Sequence, residues 1–107
     1  MIATGEPITH DEMAAALAAK AAKVNPLLLY QDLAEGLGEV LAVLAGGAEK
    51  YEAQGYRDRD PEIFEAALAR HVAARWRGEM LDPESGWPHL AHIIANALIL
   101  DWHARNA

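Results

Sequence analysis

Cysteine is missing from all 107 residues, which excludes a disulfide framework and any thiolate metal site and fits a reducing compartment. Long apolar runs are missing too. No stretch approaches the roughly 18 consecutive apolar residues of a membrane span, and the opening MIATGEPITHDEM has no charged segment followed by an apolar one, so the expectation is a cytoplasmic protein with no membrane partner. Positive charge is scarce: 9 Lys and Arg stand against 16 Asp and Glu, a formal charge of −7. That balance excludes a general surface for extended nucleic acid or an anionic membrane, both of which demand a basic face. A small phosphate ligand needs only a local basic cluster, and Arg57, Arg59, Arg70, Arg75 and Arg77 fall close together in sequence. Alternating strand patterns, internal repeats and composition shifts are also lacking, which leaves a single helical domain over residues 1–107, with a flexible N-terminus at 1–8.

What the chain has in quantity is helix-forming sequence, much of it alanine, whose small side chain buries little area. Thr9 followed by Glu12 has capping-box spacing, and Met13, Leu17, Ala21 and Val24 make a narrow apolar seam, which predicts a first helix over His10 to Val24. Asn25-Pro26 is a break followed by a start signal. A second helix is expected from about Leu28 to Ala45, with Leu33, Leu37, Val40, Leu41 and Leu44 clustered and Asp32, Glu35 and Glu39 nearly opposite as a solvated acidic row. Gly46-Gly47 should interrupt or kink it before AEKYEA resumes helical geometry to about Ala53. After the polar turn QGYRDRD, Asp60-Pro61 opens a third helix that runs to about Arg77 and stops at Gly78. The loop GEMLDPESGWP is too rich in breakers to be helical, and Pro88 opens a fourth helix to about His103. The fold class is all-α, a bundle of four or five helices. So alanine-rich a chain has little apolar area to spare within one subunit, and a homo-oligomer, a dimer at least, is expected.

The fourth helix carries the chemistry. His89, His92, Asn96 and His103 project within an arc of about 60° at 100° per residue, while Leu90, Ile93, Ile94, Leu98, Ile99 and Trp102 cover the other directions. A helix apolar all round is normally buried, and imidazoles buried with it must be hydrogen-bonded, ligated or paired. His89 and His92, three residues apart, are close enough to ligate one cation. His89 also lies in the first turn, where the helix dipole disfavours protonation and keeps a lone pair free. Glu79 and Asp82 flank the start of this helix and can bring carboxylates to the same face. Such a mixed set suits magnesium or manganese, and also zinc or cobalt. His71 lies at the apolar-to-basic margin of the third helix. Lys50, Arg57 and Arg70 are candidates for phosphate, and His103, near the chain end, for a surface or interface role.

The run ARHVAARWRGEMLDPESGWPHLAHIIANALIL, with VLAGGAEKYEAQGYR upstream, resembles the signature of the small helical dATP/dGTP diphosphohydrolases often encoded by bacteriophages. The resemblance covers about residues 26–102, and ESGxxHLAH is its distinctive core. It implies an all-α fold like that of MazG-type nucleotide pyrophosphohydrolases and metal-dependent hydrolysis of a purine deoxynucleoside triphosphate to monophosphate and pyrophosphate, in the host cytoplasm if phage-encoded. On that reading Asp82, His89 and His92 hold the metal, His71 and Glu79 are catalytic, and Lys50, Arg57, Arg70 and Asn96 bind substrate. Tyr56, Trp76 and Trp87 are candidates to stack on a purine. Glu49, Gly55 and Tyr56 depart from the family pattern, which has lysine, asparagine and tryptophan there. Those departures favour an alternative, a non-enzymatic helical module for nucleotide binding or protein interaction that keeps the fold.

Overall fold

The computed structural model describes residues 7–21, 25–50, 52 and 54–107, and side chains at all of these except 21 and 48–50. Residues 1–6 of the expected flexible N-terminus, Val24 of the first apolar seam and the Lys50 side chain lie outside the described residues.

Among the described residues there are four α-helices and no strand: α1 (His10–Ala21), α2 (Pro26–Lys50), α3 (Pro61–Trp76) and α4 (His89–Arg105), with a short 3-10 helix at Gly55–Asp58. No helix among them is long and apolar enough to cross a membrane. The chain divides into two compact units, Met1–Ala34 and Glu35–Ala107. In the first, Thr9 caps α1 as its spacing predicts: its hydroxyl accepts the Glu12 N–H at 3.1 Å and donates to the Glu12 carboxylate at 3.1 Å. Asn25 caps α2 through Oδ1, which accepts the Leu27 N–H at 2.9 Å, with Pro26 in the first helical position.

The second unit holds the core. Val40 of α2 is buried with Ala91 and Ala95 of α4, and Val43 and Leu44 pack against them. The extensive helix packing of this unit is α3 against α4, and α2 meets the small alanines of α4 through Val40. Helix α2 does not break at Gly46-Gly47 as expected but runs on to Lys50. Glycine weakens a helix by about 1 kcal/mol relative to alanine, and the packing of Val43 and Leu44 just before the pair supports the turn that contains it. Glu52 lies outside the helix, at φ +128°; Tyr51 and Ala53, the expected end of the resumed helix, lie outside the described residues. The turn after it contains the 3-10 helix.

Helix α3 begins and ends as its sequence predicts. Asp60 Oδ1 accepts the Glu62 N–H at 2.9 Å, and Pro61 follows. At the other end Gly78, at φ +94°, supplies the left-handed residue of a Schellman stop. The Gly78 N–H bonds Arg75 O at 2.9 Å and the Glu79 N–H bonds Ala74 O at 3.1 Å. The chain then turns back tightly. Asp82 N–H donates to Trp87 O at 2.8 Å, Gly86 N–H to Asp82 O at 2.7 Å, and His89 N–H to Met80 O at 2.9 Å. Pro88, extended, is the N-cap of α4. The expectation that α4 is covered on every side does not hold: only His89, Ala91 and Ala95 are buried, while Leu90, Ile94 and Leu98 are 45%, 41% and 52% exposed. A helix in a unit this small has too few neighbours to cover its whole circumference.

Candidate functional site

Helices α3 and α4 and the loop between them bring His71, Glu79, Asp82, His89 and His92 together. His89 is buried, and its Nε2 lies 2.8 Å from Glu79 Oε1. A carboxylate accepts, so His89 carries its proton on Nε2 and a neutral ring presents its lone pair at Nδ1. That Nδ1 faces His71 Nδ1 at 2.8 Å. The two nitrogens share one proton, donated by His71; with that proton on His71 Nε2 instead, the same pair would offer two lone pairs to a cation. One ligand atom each from His71, Asp82 and His89 lies within 4.8 Å of the others. This donor set has the composition and spacing of a divalent-cation site, and Glu79 stands behind His89 where metal-ligating histidines commonly receive a carboxylate partner.

The third imidazole is held by a second network. His92 stacks on His71, with centroids 4.3 Å apart and planes 9° from parallel. Its Nε2 lies 2.7 Å from Ser85 Oγ and 3.4 Å from Asp82 Oδ2. The Ser85 oxygen accepts the Trp87 N–H at 3.1 Å, and the Ser85 side chain and N–H both hydrogen-bond Asp82. A hydroxyl has a single hydrogen. With that hydrogen given to Asp82, His92 Nε2 is the donor to Ser85, and the His92 lone pair is at Nδ1. Because Ser85 and Asp82 address the same ring nitrogen, the three are not arranged as a nucleophilic triad, in which serine and carboxylate sit on opposite nitrogens.

Electrostatics favour the ligand-ready forms. Burial lowers the pKa of His71, helped by the neighbouring His92, His89 and Arg70 charges and opposed by Asp82. Burial also lowers that of His92, again opposed by Asp82. Burial pushes Asp82 up, but the Ser85 hydrogen bonds and His92 outweigh it and hold the carboxyl below its ordinary value. At neutral pH His71 and His92 are therefore neutral beside an ionised Asp82.

His71, Asp82, Ser85, His89 and His92 line one end of a cleft of about 1020 Å³, and Glu79 stands behind it. Arg70 and Asn96 line it as well; Arg57 does not, its guanidinium lying 5.3 Å over the Trp102 ring. Lys50 is outside the description of side chains. Trp87 and Tyr56 line the cleft, whereas Trp76 does not and is 90% exposed at the end of α3. Of the acidic row, Asp32 and Glu35 are exposed, whereas Glu39 is half-buried. His103 is not a surface residue: it is half-buried, its Nε2–H donates to Tyr56 O at 2.8 Å, and it stacks on Phe64. The bonding role of Ser85 escapes sequence reading; its signal was the three-residue spacing from Asp82, the spacing of a side chain that caps a turn.

Comparison with curated proteins and with solved structures yields no match. The family model of the dATP/dGTP diphosphohydrolase N-terminal domain matches residues 13–107, which contain every residue of this cluster, and the chain belongs to that family.

Proposed function

We propose that the protein is a metal-dependent hydrolase that converts a purine deoxynucleoside triphosphate to its monophosphate and pyrophosphate. The observation that carries this reading is the group His71, Asp82 and His89, backed by Glu79 and bordered by Arg70, in the cleft of a chain of this family. Two imidazoles and a carboxylate suit manganese, cobalt or zinc better than magnesium, which prefers oxygen donors. A bound divalent cation supplies charge neutralisation on the phosphoryl oxygens.

The residues do the rest. Arg70, on the rim beside His71, pairs with phosphate. Glu79 holds the His89 ring, and Asp82 with Ser85 holds that of His92. His92 Nδ1, the nitrogen turned away from Ser85, takes the proton of the attacking water. The water oxygen joins the α-phosphorus, the bond from that phosphorus to the oxygen bridging to the β-phosphorus breaks, and pyrophosphate leaves with the electron pair. The working unit is a homo-oligomer: the exposed apolar residues Leu37, Leu41, Leu90, Ile94 and Leu98 support a second copy against α2 and α4.

The test is product analysis of wild type and His89→Ala with four deoxynucleoside triphosphates and manganese, cobalt, zinc or magnesium, beside thermal melts with and without metal. Monophosphate and pyrophosphate from purine substrates, a metal-raised melting temperature in wild type, and loss of both in a folded His89→Ala are expected. No product from any triphosphate and no metal effect on the melt would remove the enzyme reading.

A further inference from the structure

The cleft continues past the histidines to an aromatic end. From His92 its lining passes along α4 through Asn96 and Ile99 to Trp102, with Tyr56 and Phe64 beside them. His92, Asn96 and Ile99 are spaced four and three apart, so they share one helix face, and they span about 10 Å of axis at 1.5 Å per residue. That is comparable to the reach from a nucleotide's inner phosphates across one deoxyribose to its base. Along this face the lining changes from imidazole and carboxylate to aliphatic and aromatic carbon, with Arg59, Asp101 and Arg105 also bordering the far end.

The aromatic end is braced rather than loosely packed. The Tyr56 and Trp102 rings meet edge to face at 5.6 Å. The His103 N–H on Tyr56 O ties the 3-10 helix to α4, and the His103 ring lies 5.9 Å from Phe64 in a stacked arrangement, tying in α3. The Arg57 guanidinium lies over Trp102. Tyr56 and Trp102 nonetheless keep part of their surface open. Between the two ends, Asn96 Nδ2 donates to His92 O at 2.8 Å. A backbone carbonyl only accepts, so the orientation of the amide is settled, and its Oδ1 and second hydrogen have no partner among the described residues. One acceptor beside one donor can pair with the N6–H donor and N7 acceptor of adenine.

We infer that this end of the cleft is the base subsite, in which a purine packs against Tyr56, Ile99 and Trp102 while the Asn96 amide hydrogen-bonds its edge. The inference rests on the proposed hydrolase reading, which assigns the phosphates to the histidine end. Every aromatic ring has a face to offer a base, so the wall supplies affinity, greater for the larger purine ring system, and the amide fixes the edge that faces α4.

The test is an amide and indole NMR titration of the full chain with deoxyadenosine, deoxycytidine and inorganic tripolyphosphate, each alone. Kinetics of wild type, Trp102→Leu and Asn96→Ala on dATP and dCTP accompany it. Deoxyadenosine is expected to shift the Trp102 indole and Tyr56 signals more than deoxycytidine does, and tripolyphosphate to shift signals around His71 and His92 instead. Trp102→Leu should raise KM for dATP about tenfold with little change in kcat, and Asn96→Ala should raise KM for dATP as well. Deoxyadenosine shifts confined to Trp76 or Trp87, or an unchanged KM in a folded Trp102→Leu, would overturn the subsite. The wild-type titration decides the matter if a variant fails to fold. Shifts at Trp102 without hydrolysis of any triphosphate would overturn the hydrolase reading and keep the subsite. Hydrolysis of dATP without those shifts would do the reverse.

Discussion

Glu79 illustrates how one exposed side chain governs a buried one. It is half-exposed while its partner His89 is buried, so replacing it disturbs ring orientation more than packing. Glu79→Ala is expected to leave a folded protein and to weaken manganese or zinc binding by about 10- to 100-fold, the usual effect of losing a carboxylate behind a ligating histidine; a calorimetric metal titration checks it, and a change under threefold would remove Glu79 from the site. The pH dependence follows from the same residues. His71 and His92 titrate below their ordinary 6.5 in the folded chain, so between the folded value and 6.5 the unfolded state binds more protons and stability rises with pH. Their contribution is complete above pH 6.5 and is lost as pH falls below it. Asp82, also lowered, adds stability that is present above its ordinary 3.8 and disappears as pH falls through its folded value. Denaturant midpoints from pH 8 to pH 4 should therefore fall with acid; a midpoint that rises on acidification below pH 6.5 would contradict this.

At the scale of elements, the end of α3 decides where the site's carboxylates stand. Gly78 is the pivot: nothing lies within 4 Å of a Cβ added there, yet its φ of +94° is one that other L residues resist. Gly78→Ala is therefore expected to cost about 1 kcal/mol through the backbone alone, and to loosen metal binding as well, since Glu79 follows directly. A melting temperature and a metal affinity both equal to wild type would show that the stop tolerates a side chain. Helix starts and stops of this kind were legible in the residues themselves: Thr9 with Glu12, Asn25-Pro26, Asp60-Pro61 and Gly78 each act through local hydrogen bonds or fixed dihedral angles. Gly46-Gly47 misled because a glycine pair weakens a helix without breaking it, and the turns around it are held by partners far away in sequence.

For the whole molecule, the balance of buried and open surface is the controlling fact. Among the described residues of the second unit the buried hydrophobics are Val40, Ala74, Ala91 and Ala95, three of them alanines, and several larger side chains stay open to solvent. Area of that kind is stabilised when another copy covers it. Light scattering at micromolar concentration is expected to show a species of at least twice 11.6 kDa, and dilution should lower the melting temperature; a monomer alone would contradict the proposed assembly.

The sequence by itself determined the helical class, most helix boundaries and the identity of the chemical stripe on α4, because each depends on interactions within a few residues: caps, proline and glycine dihedrals, and the 3.6-residue period. The grouping of Glu79 and Asp82 with the histidines was also legible, since a short loop confines them near the start of α4. Only the tertiary structure decided the partners. His71, eighteen residues before His89, reaches it because α3 and α4 pack together, and the direct contact of His71 with His89, with His92 stacked alongside, depends on that packing. The same holds for His103, which chain position marks as peripheral and which the 3-10 helix and Phe64 enclose. A local pattern says which face a side chain takes; which residue stands opposite is settled by how the helices meet.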